Sequence, residues 1–293
     1  MYTLLYGFIW SLSKLPLKVL YALSDIIFVL VYYIVRYRRR VVSENLHSSF
    51  PEKNATELKH IEKEFYQFFS DYIVETIKLC SISEKELTKR MEFCGVEQMI
   101  NKLRTSGKDF AFIYLAHYGN WEWIASLAMH IHNLAPEMSA GQIYHPLRNK
   151  NFNKLFLQIR GRFGGDNVGM KETLRYVINK RKAQIPTVVG FIADQGPKWN
   201  HKTPVFTGTE QIGKKVDALI FYGHVERPKR GTYRCTIKLM EDNIQNKPDY
   251  QITDKYFDLL EGTIKQHPAL WLWTHKRWKR NYEEYVRRQK SQS

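Results

Sequence analysis

The chain of 293 residues carries 45 Lys and Arg against 29 Asp and Glu, a formal net charge of +16, with 44% hydrophobic and 14% aromatic residues. That length buries a full core as one large α/β domain or two small ones, and the charge points to an anionic partner: nucleic acid, an anionic lipid surface or an acidic carrier. Three cysteines, Cys80, Cys94 and Cys235, with no CxxC spacing, argue against a disulfide framework or a zinc site and read as reduced thiols of a cytoplasmic compartment.

Residues 1–35 are strongly apolar, with a break at Ser13-Lys14-Leu15-Pro16. The second run, Val19 to Val35, is about 17 residues long, short for a membrane span, and contains Asp25. Arg36, Arg38, Arg39 and Arg40 follow at once, a cluster that keeps the following domain on the cytoplasmic side by the positive-inside rule. No small-residue cleavage site is present, so the stretch reads as a retained anchor, either a single span or a hairpin lying in the interface.

Residues 41–105 read as helical: Leu46, Phe50, Phe65, Phe68, Phe69, Tyr72, Ile73 and Ile77 recur at helical spacings with charges between them. Phe50-Pro51 ends one helix and Asn54-Ala55-Thr56 caps the next. The aromatic stripe reads as core packing.

From residue 107 the pattern turns α/β. Phe110 to Leu115 is a buried strand, followed by a turn and a helix over IASLAMHI. Met138 to Tyr144 is a second strand, Asn151 to Arg162 a helix, FGGDNVG a glycine-rich break, and Lys171 to Arg181 another helix. PTVVGFIADQGP is a strand ending in polar residues at Asp194-Gln195. Ala218 to Val225 and Thr232 to Met240 are strands separated by the turn-like ERPKRG, and Tyr256 to Gln266 is a helix. The expected class is α/β, a mostly parallel central sheet flanked by helices, with an N-terminal membrane-associated helical segment. The expected divisions are an anchor and basic run over 1–40, a main domain over 41–280 (helical to 105, α/β from 106), and a basic polar tail over 281–293.

The stretch FAFIYLAHYGNWEW, Phe110 to Trp123, carries the chemistry. A strand that releases His117 into a Gly119-Asn120 turn before a helix is a common way to build a catalytic corner, at the sheet end where ligands bind. His117 and Glu122 are five apart, about 140° from each other on a continuous helix, so they meet only if the turn bends the chain back. If they meet, the carboxylate holds one ring nitrogen and leaves the other as a base. The spacing alone is unspecific: it also occurs in His47/Glu52 and His132/Glu137, neither of which has a strand in front. The plainer alternative is a turn histidine beside a helix-start glutamate. Arg160 taken alone is a solvated helix end, and Asp194 a turn cap. The sequence has no phosphate loop and no G-x-S-x-G elbow, and no metal-ligand cluster is apparent.

HYGNWEW, IYHPLRNKNFNKLFLQIRGRFG, GFIADQGP, the FTG of Phe206 to Gly208 and HPALWLWTHKRWK appear in that order. Together they resemble the bacterial lipid A late acyltransferases, and NLHSSFP and the anchor fit the same family. The resemblance, which runs to about Arg280, implies a glycerolipid-acyltransferase-like fold. It also implies acyl transfer from an acyl carrier protein thioester to a hydroxyl of a lipid A precursor, at the cytoplasmic face of the cell inner membrane. Carried over, His117 is the general base and Glu122 its orienting carboxylate; Asn120, Asn149, Arg160, Asp194 and Gln195 are substrate-binding, with Arg160 on the thioester carbonyl or an anionic group. The implied partners are the acyl carrier protein, a lipid A precursor and anionic membrane, without nucleic acid; no metal or cofactor is implied. Two departures concern the acceptor: the family often has Arg where this chain has His145, and 209–218 lacks the alanine-rich pattern expected there. Acyl transfer to a lysophospholipid or an amino-acid lipid is the alternative within enzymes. A basic membrane-tethered binding protein is the alternative outside them.

Overall fold

The computed structural model describes residues 2–194 and 208–276. Gln195, Phe206, Thr207, Trp278 and the tail 281–293 therefore lie outside the described residues. Helices α1 (Tyr2–Ser13) and α2 (Leu17–Val29) open the chain, α2 continuing as a π-helical segment, Leu30–Ile34. Then come α3 (Arg39–Ser49), α4 (Ala55–Lys78), α5 (Glu84–Arg90), strand β1 (Met91–Cys94) and α6 (Val96–Thr105). The α/β part is β2 (Phe110–Leu115), α7 (Leu127–Leu134), β3 (Ser139–Tyr144), α8 (Lys150–Gly161), β4 (Asp166–Gly169), α9 (Thr173–Lys182) and β5 (Thr187–Ile192). It continues through α10 (Gly208–Val216), β6 (Leu219–Lys229), β7 (Thr232–Glu241) and α11 (Gln251–Gln266).

The seven strands form one sheet in the order β1-β7-β6-β2-β5-β3-β4. Every neighbouring pair is parallel except the β6–β7 hairpin. β2 lies mid-sheet with all six residues buried, which is why its sequence is an unbroken apolar run. Its register against β5 pairs Leu115 with Ile192, so the two strands end level.

Three expectations are corrected. The helical span 41–105 contains β1, a four-residue strand that adds to the sheet edge beside β7 and is too short to carry a period-2 signal. The break FGGDNVG contains β4, the opposite edge, whose pairing with β3 comes from position and not from β-branched content. ERPKRG is mostly strand, because β6 runs to Lys229 and only Arg230-Gly231 turns before β7.

Helix α4 organises the N-terminal half. Asn54 starts it with a full capping box, accepting from Thr56 N and Glu57 N at 3.0 Å while Glu57 accepts from Asn54 N at 2.9 Å. Its Phe65, Tyr66 and Phe68 belong to one continuous hydrophobic cluster that extends from Phe28 and Tyr32 through β2 to Trp273.

Leu17–Ile34 is long and apolar enough to cross a membrane, with a mean hydropathy of 1.9. It does not stand alone, because Leu17, Leu20, Ser24 and Phe28 on one face are buried in the protein. Ser24 donates to Asp71 of α4 at 2.7 Å, and Asp25 pairs with Arg230 of the hairpin turn at 2.6 Å. Val19, Ile26, Leu30 and Tyr33 on the other face are exposed, as are Leu4 and Phe8 of α1.

Candidate active site

β2 delivers His117 two residues beyond its last paired residue, and β5 delivers Asp194 two residues beyond its own. Since Leu115 and Ile192 are register partners, the two polar residues come face to face. His117 Nδ1 lies 2.6 Å from Asp194 Oδ1, and the Asp194 side chain is buried. The indole of Trp271 donates to Asp194 Oδ2 at 2.9 Å. A carboxylate on Nδ1 fixes the ring so that Nε2 is the nitrogen available as a base.

The backbone of the corner is clamped by the segment after α11. Leu272 N donates to His117 O at 3.0 Å, and Gly119 N donates to Leu270 O at 2.9 Å. Gly119 has φ +61°, and a Cβ there would lie 2.7 Å from Val225 Cγ1. Both the left-handed backbone and the close approach require glycine.

The turn at Gly119-Asn120 does bend the chain, but it carries Glu122 to a different partner, and the expectation that Glu122 orients His117 is corrected. Glu122 Oε2 accepts from Arg160 Nε at 2.7 Å and Oε1 from Arg160 Nη2 at 2.5 Å, a two-pronged pair. Glu122 is buried, and Arg160 comes from the last turn of α8. Burial works against the guanidinium charge, but Glu122 outweighs it and holds the Arg160 pKa above its ordinary value. Arg160 Nη1 makes no hydrogen bond among the described residues. Tyr72 of α4 lies 3.5 Å from Glu122 Oε1 through its hydroxyl and stacks on Trp121 at 4.1 Å between ring centres. Burial, then the Glu122 charge, pushes the Tyr72 phenol well up, so it stays a neutral donor. Trp121 meets the His117 ring edge-on at 5.3 Å.

His117 and the Glu122–Arg160 pair line one cavity of about 810 Å³, with Asp194 buried behind the His117 ring. Its polar end holds His117, Glu122, Arg160, His145, His275 and Lys276, at the level where β2, β3 and β5 end. From there it runs between the sheet and α7, walled by Leu115, Ile113, Gly190, Val188, Ala140, Ala128 and Ile131. Ile192 to Val188 spans four residues, about 13 Å of strand. A long apolar slot ending at a His–Asp pair and an arginine suits a substrate with a hydrocarbon chain and a polar reacting head.

Two other expected substrate contacts fall elsewhere. Asn120 is fully buried and does not face the cavity: its Nδ2 donates to Glu75 Oε2 at 2.8 Å and its Oδ1 accepts from Trp123 N at 3.1 Å. Asn149 caps α8, accepting from Asn151 N at 3.0 Å and Phe152 N at 3.2 Å, and does not line the cavity. Both are short polar side chains that satisfy backbone donors at turns, a role sequence spacing does not separate from ligand contact. Tyr72 belongs to the aromatic stripe that reads as core packing, and sequence reasoning does not single out Trp121 or Trp271 as site residues. Tyr72 meets Trp121 and Glu122, and Trp271 meets Asp194, across long stretches of chain, so no local pattern marks these contacts. Among the described residues, no group of three His, Cys, Asp or Glu side chains is placed to hold a metal ion.

A comparison with curated proteins found no match. A family model, described as bacterial lipid A biosynthesis acyltransferase, matches residues 1–280. That span includes the corner, both acid-base pairs and the apolar N-terminal helices, and the chain belongs to the bacterial lipid A biosynthesis acyltransferase family.

Proposed function

We propose that the protein transfers a fatty acyl chain from an acyl carrier protein thioester to a hydroxyl of a lipid A precursor at the cytoplasmic face of the inner membrane. The observation that carries the reading is the His117–Asp194 pair at the polar end of the apolar slot. The acyl chain lies in the slot with its thioester carbonyl at the His117 end. His117 Nε2 takes the proton of the acceptor hydroxyl as its oxygen attacks the carbonyl carbon, and Asp194 stabilises the imidazolium that forms. The tetrahedral intermediate carries an oxyanion, for which Arg160 Nη1 serves as a donor from the same cavity, its guanidinium held in place by Glu122. Collapse breaks the carbon–sulfur bond, and the thiolate recovers the proton from His117.

The uncovered apolar stripes of α1 and α2 are the surface that meets the bilayer. A helix with one face locked into protein through Ser24, Asp25 and Asp71 fits an in-plane position better than a span surrounded by lipid. Tyr2 of α1 donates to Gln158 of α8 at 2.6 Å, so α1 packs beside the helix that carries Arg160, which supports a bilayer-facing route to the site. A lipid acceptor then reaches the site from the bilayer, and the acidic carrier approaches the basic protein from water.

The test supplies membranes containing the protein with acyl carrier protein thioesters and a tetra-acylated lipid A precursor, and reads the lipid products by mass spectrometry. Precursor heavier by one acyl chain is the expected product. Acylation of a lysophospholipid or amino-acid lipid in its place would overturn the acceptor, and no acylated lipid at all would overturn the reaction.

A further inference from the structure

Helix α4 buries two carboxylates one turn apart, Asp71 and Glu75, and the transfer chemistry described above uses neither. Asp71 is neutralised by Arg227 and Arg230, Arg230 reaching it at 2.6 Å, and takes the Ser24 hydroxyl of α2. Glu75 is different. It is fully buried, and three side chains from three separate elements converge on it. Tyr21 of α2 donates to Oε1 at 2.8 Å, Tyr233 of β7 donates to Oε2 at 2.7 Å, and Asn120 of the His117 corner donates to Oε2 at 2.8 Å. The Glu75 backbone carbonyl also accepts from the Trp123 indole at 3.0 Å. Residue 75 thus holds the corner at two points, Asn120 and Trp123, one on each side of Glu122.

A buried carboxylate is a costly way to fix a turn, and it is retained where the hydrogen-bond geometry is what matters. Burial pushes the Glu75 carboxyl above its ordinary range, while Arg227 first and the three hydrogen bonds after it favour the charged form. An amide at this position removes the charge and replaces one acceptor oxygen by an NH2, so the Tyr21 hydroxyl must reverse its role or lose its partner. Losing Tyr21 leaves Oε1 buried without a side-chain donor among the described residues.

We propose that Glu75 is a positioning residue that couples the N-terminal helix α2, through Tyr21, to the Asn120 turn, so that docking of α2 sets His117 and Glu122 for reaction. The N-terminal segment is then part of the active-site framework as well as a membrane anchor. This rests on the acyl-transfer reading for its kinetic consequence, but its structural consequence stands apart from that reading.

The experiment compares full-length wild type with Glu75→Gln, Tyr21→Phe and the double variant in detergent, where membrane recruitment is not limiting. It measures kcat and KM for acyl transfer, and hydrogen exchange of the backbone over 117–123 and over β2 and β5. Tyr21→Phe is expected to lower kcat about 3- to 10-fold and Glu75→Gln about 10- to 100-fold, with KM within about twofold. The double variant should match Glu75→Gln, because Tyr21 acts through Glu75. Exchange should speed up over 117–123 and stay unchanged in β2 and β5. Unchanged kcat and unchanged corner exchange in Tyr21→Phe would overturn the coupling. A rise in exchange spread evenly over the sheet would do so as well, since it marks general destabilisation. If the wild type transfers no acyl group, the functional reading fails, and the exchange data alone decide whether α2 holds the corner.

Discussion

Asp194 stands against His117 because β5 lies next to β2 in register, not because the two are near in sequence: Leu115 pairs with Ile192, and two residues further on the ring nitrogen and the carboxylate are 2.6 Å apart. Asp194→Asn keeps the shape but leaves one acceptor oxygen for two donors, the Trp271 indole and Nδ1–H. With the oxygen on Trp271, the amide NH2 faces Nδ1 and favours the wrong tautomer. Acyl transfer is expected to fall by about 10²–10⁴ in kcat, with KM little changed. A loss of less than threefold in steady-state kinetics would show that Asp194 does not orient the base.

The Glu122–Arg160 pair predicts a different pattern. Glu122→Ala leaves a guanidinium in a largely buried site without its partner, which costs on the order of 3 kcal/mol of stability. Thermal denaturation should show the loss. Arg160→Lys keeps the charge but loses the two-pronged grip, so its activity should lie between wild type and Arg160→Ala. Equal activity in Lys and Ala variants would mean the fork has no role.

The apolar end of the slot should set which acyl chain is accepted. Ala128 lines it from α7, and Ala128→Leu fills part of the space opposite Gly165 and Ala140. With a mixture of thioesters, the variant should shift toward shorter chains, while the rate with the shortest accepted chain stays within about threefold. An unchanged product distribution would place the acyl chain elsewhere.

Acid should weaken the fold through two half-buried histidines. Burial lowers the pKa of His130, and likewise of His224, below the ordinary 6.5. The unfolded chain then binds more protons as pH falls below that value, so this part of the stability is complete above 6.5 and lost as pH drops through the depressed value. Melting temperature should therefore fall between pH 7.5 and pH 5.5, and His130→Leu should show a shallower fall. Parallel curves for the two proteins would assign the acid sensitivity to other groups.

Much of this was legible before the structure. The run FAFIYL marked a fully buried central strand, and the strand-turn context separated His117 from the other two His-x4-acid spacings. Strand ends are also written locally: both β2 and β5 close with an apolar residue, an alanine and then a polar residue, LAH and IAD. That shared ending is an unused signal that could have put His117 and Asp194 at one level. Adjacency in the sheet is a long-range property, however, so spacing favoured the nearer Glu122. The same limit hid Glu75, whose partners come from residues 21, 120 and 233. In a helix read as core packing, one buried acid among aromatics gives no local sign of what it holds. The edge strands β1 and β4 were missed because four residues are too few to show a period.

The most direct test of the account is acyl transfer from an acyl carrier protein thioester by wild type and by His117→Ala, prepared and assayed side by side with the lipid A precursor. His117 lines the cavity from the end of β2, and truncating its half-buried ring should leave the fold intact. The account predicts product with the wild type and a loss of about 10²–10⁴ in rate with the variant. Transfer by His117→Ala within threefold of wild type would contradict it.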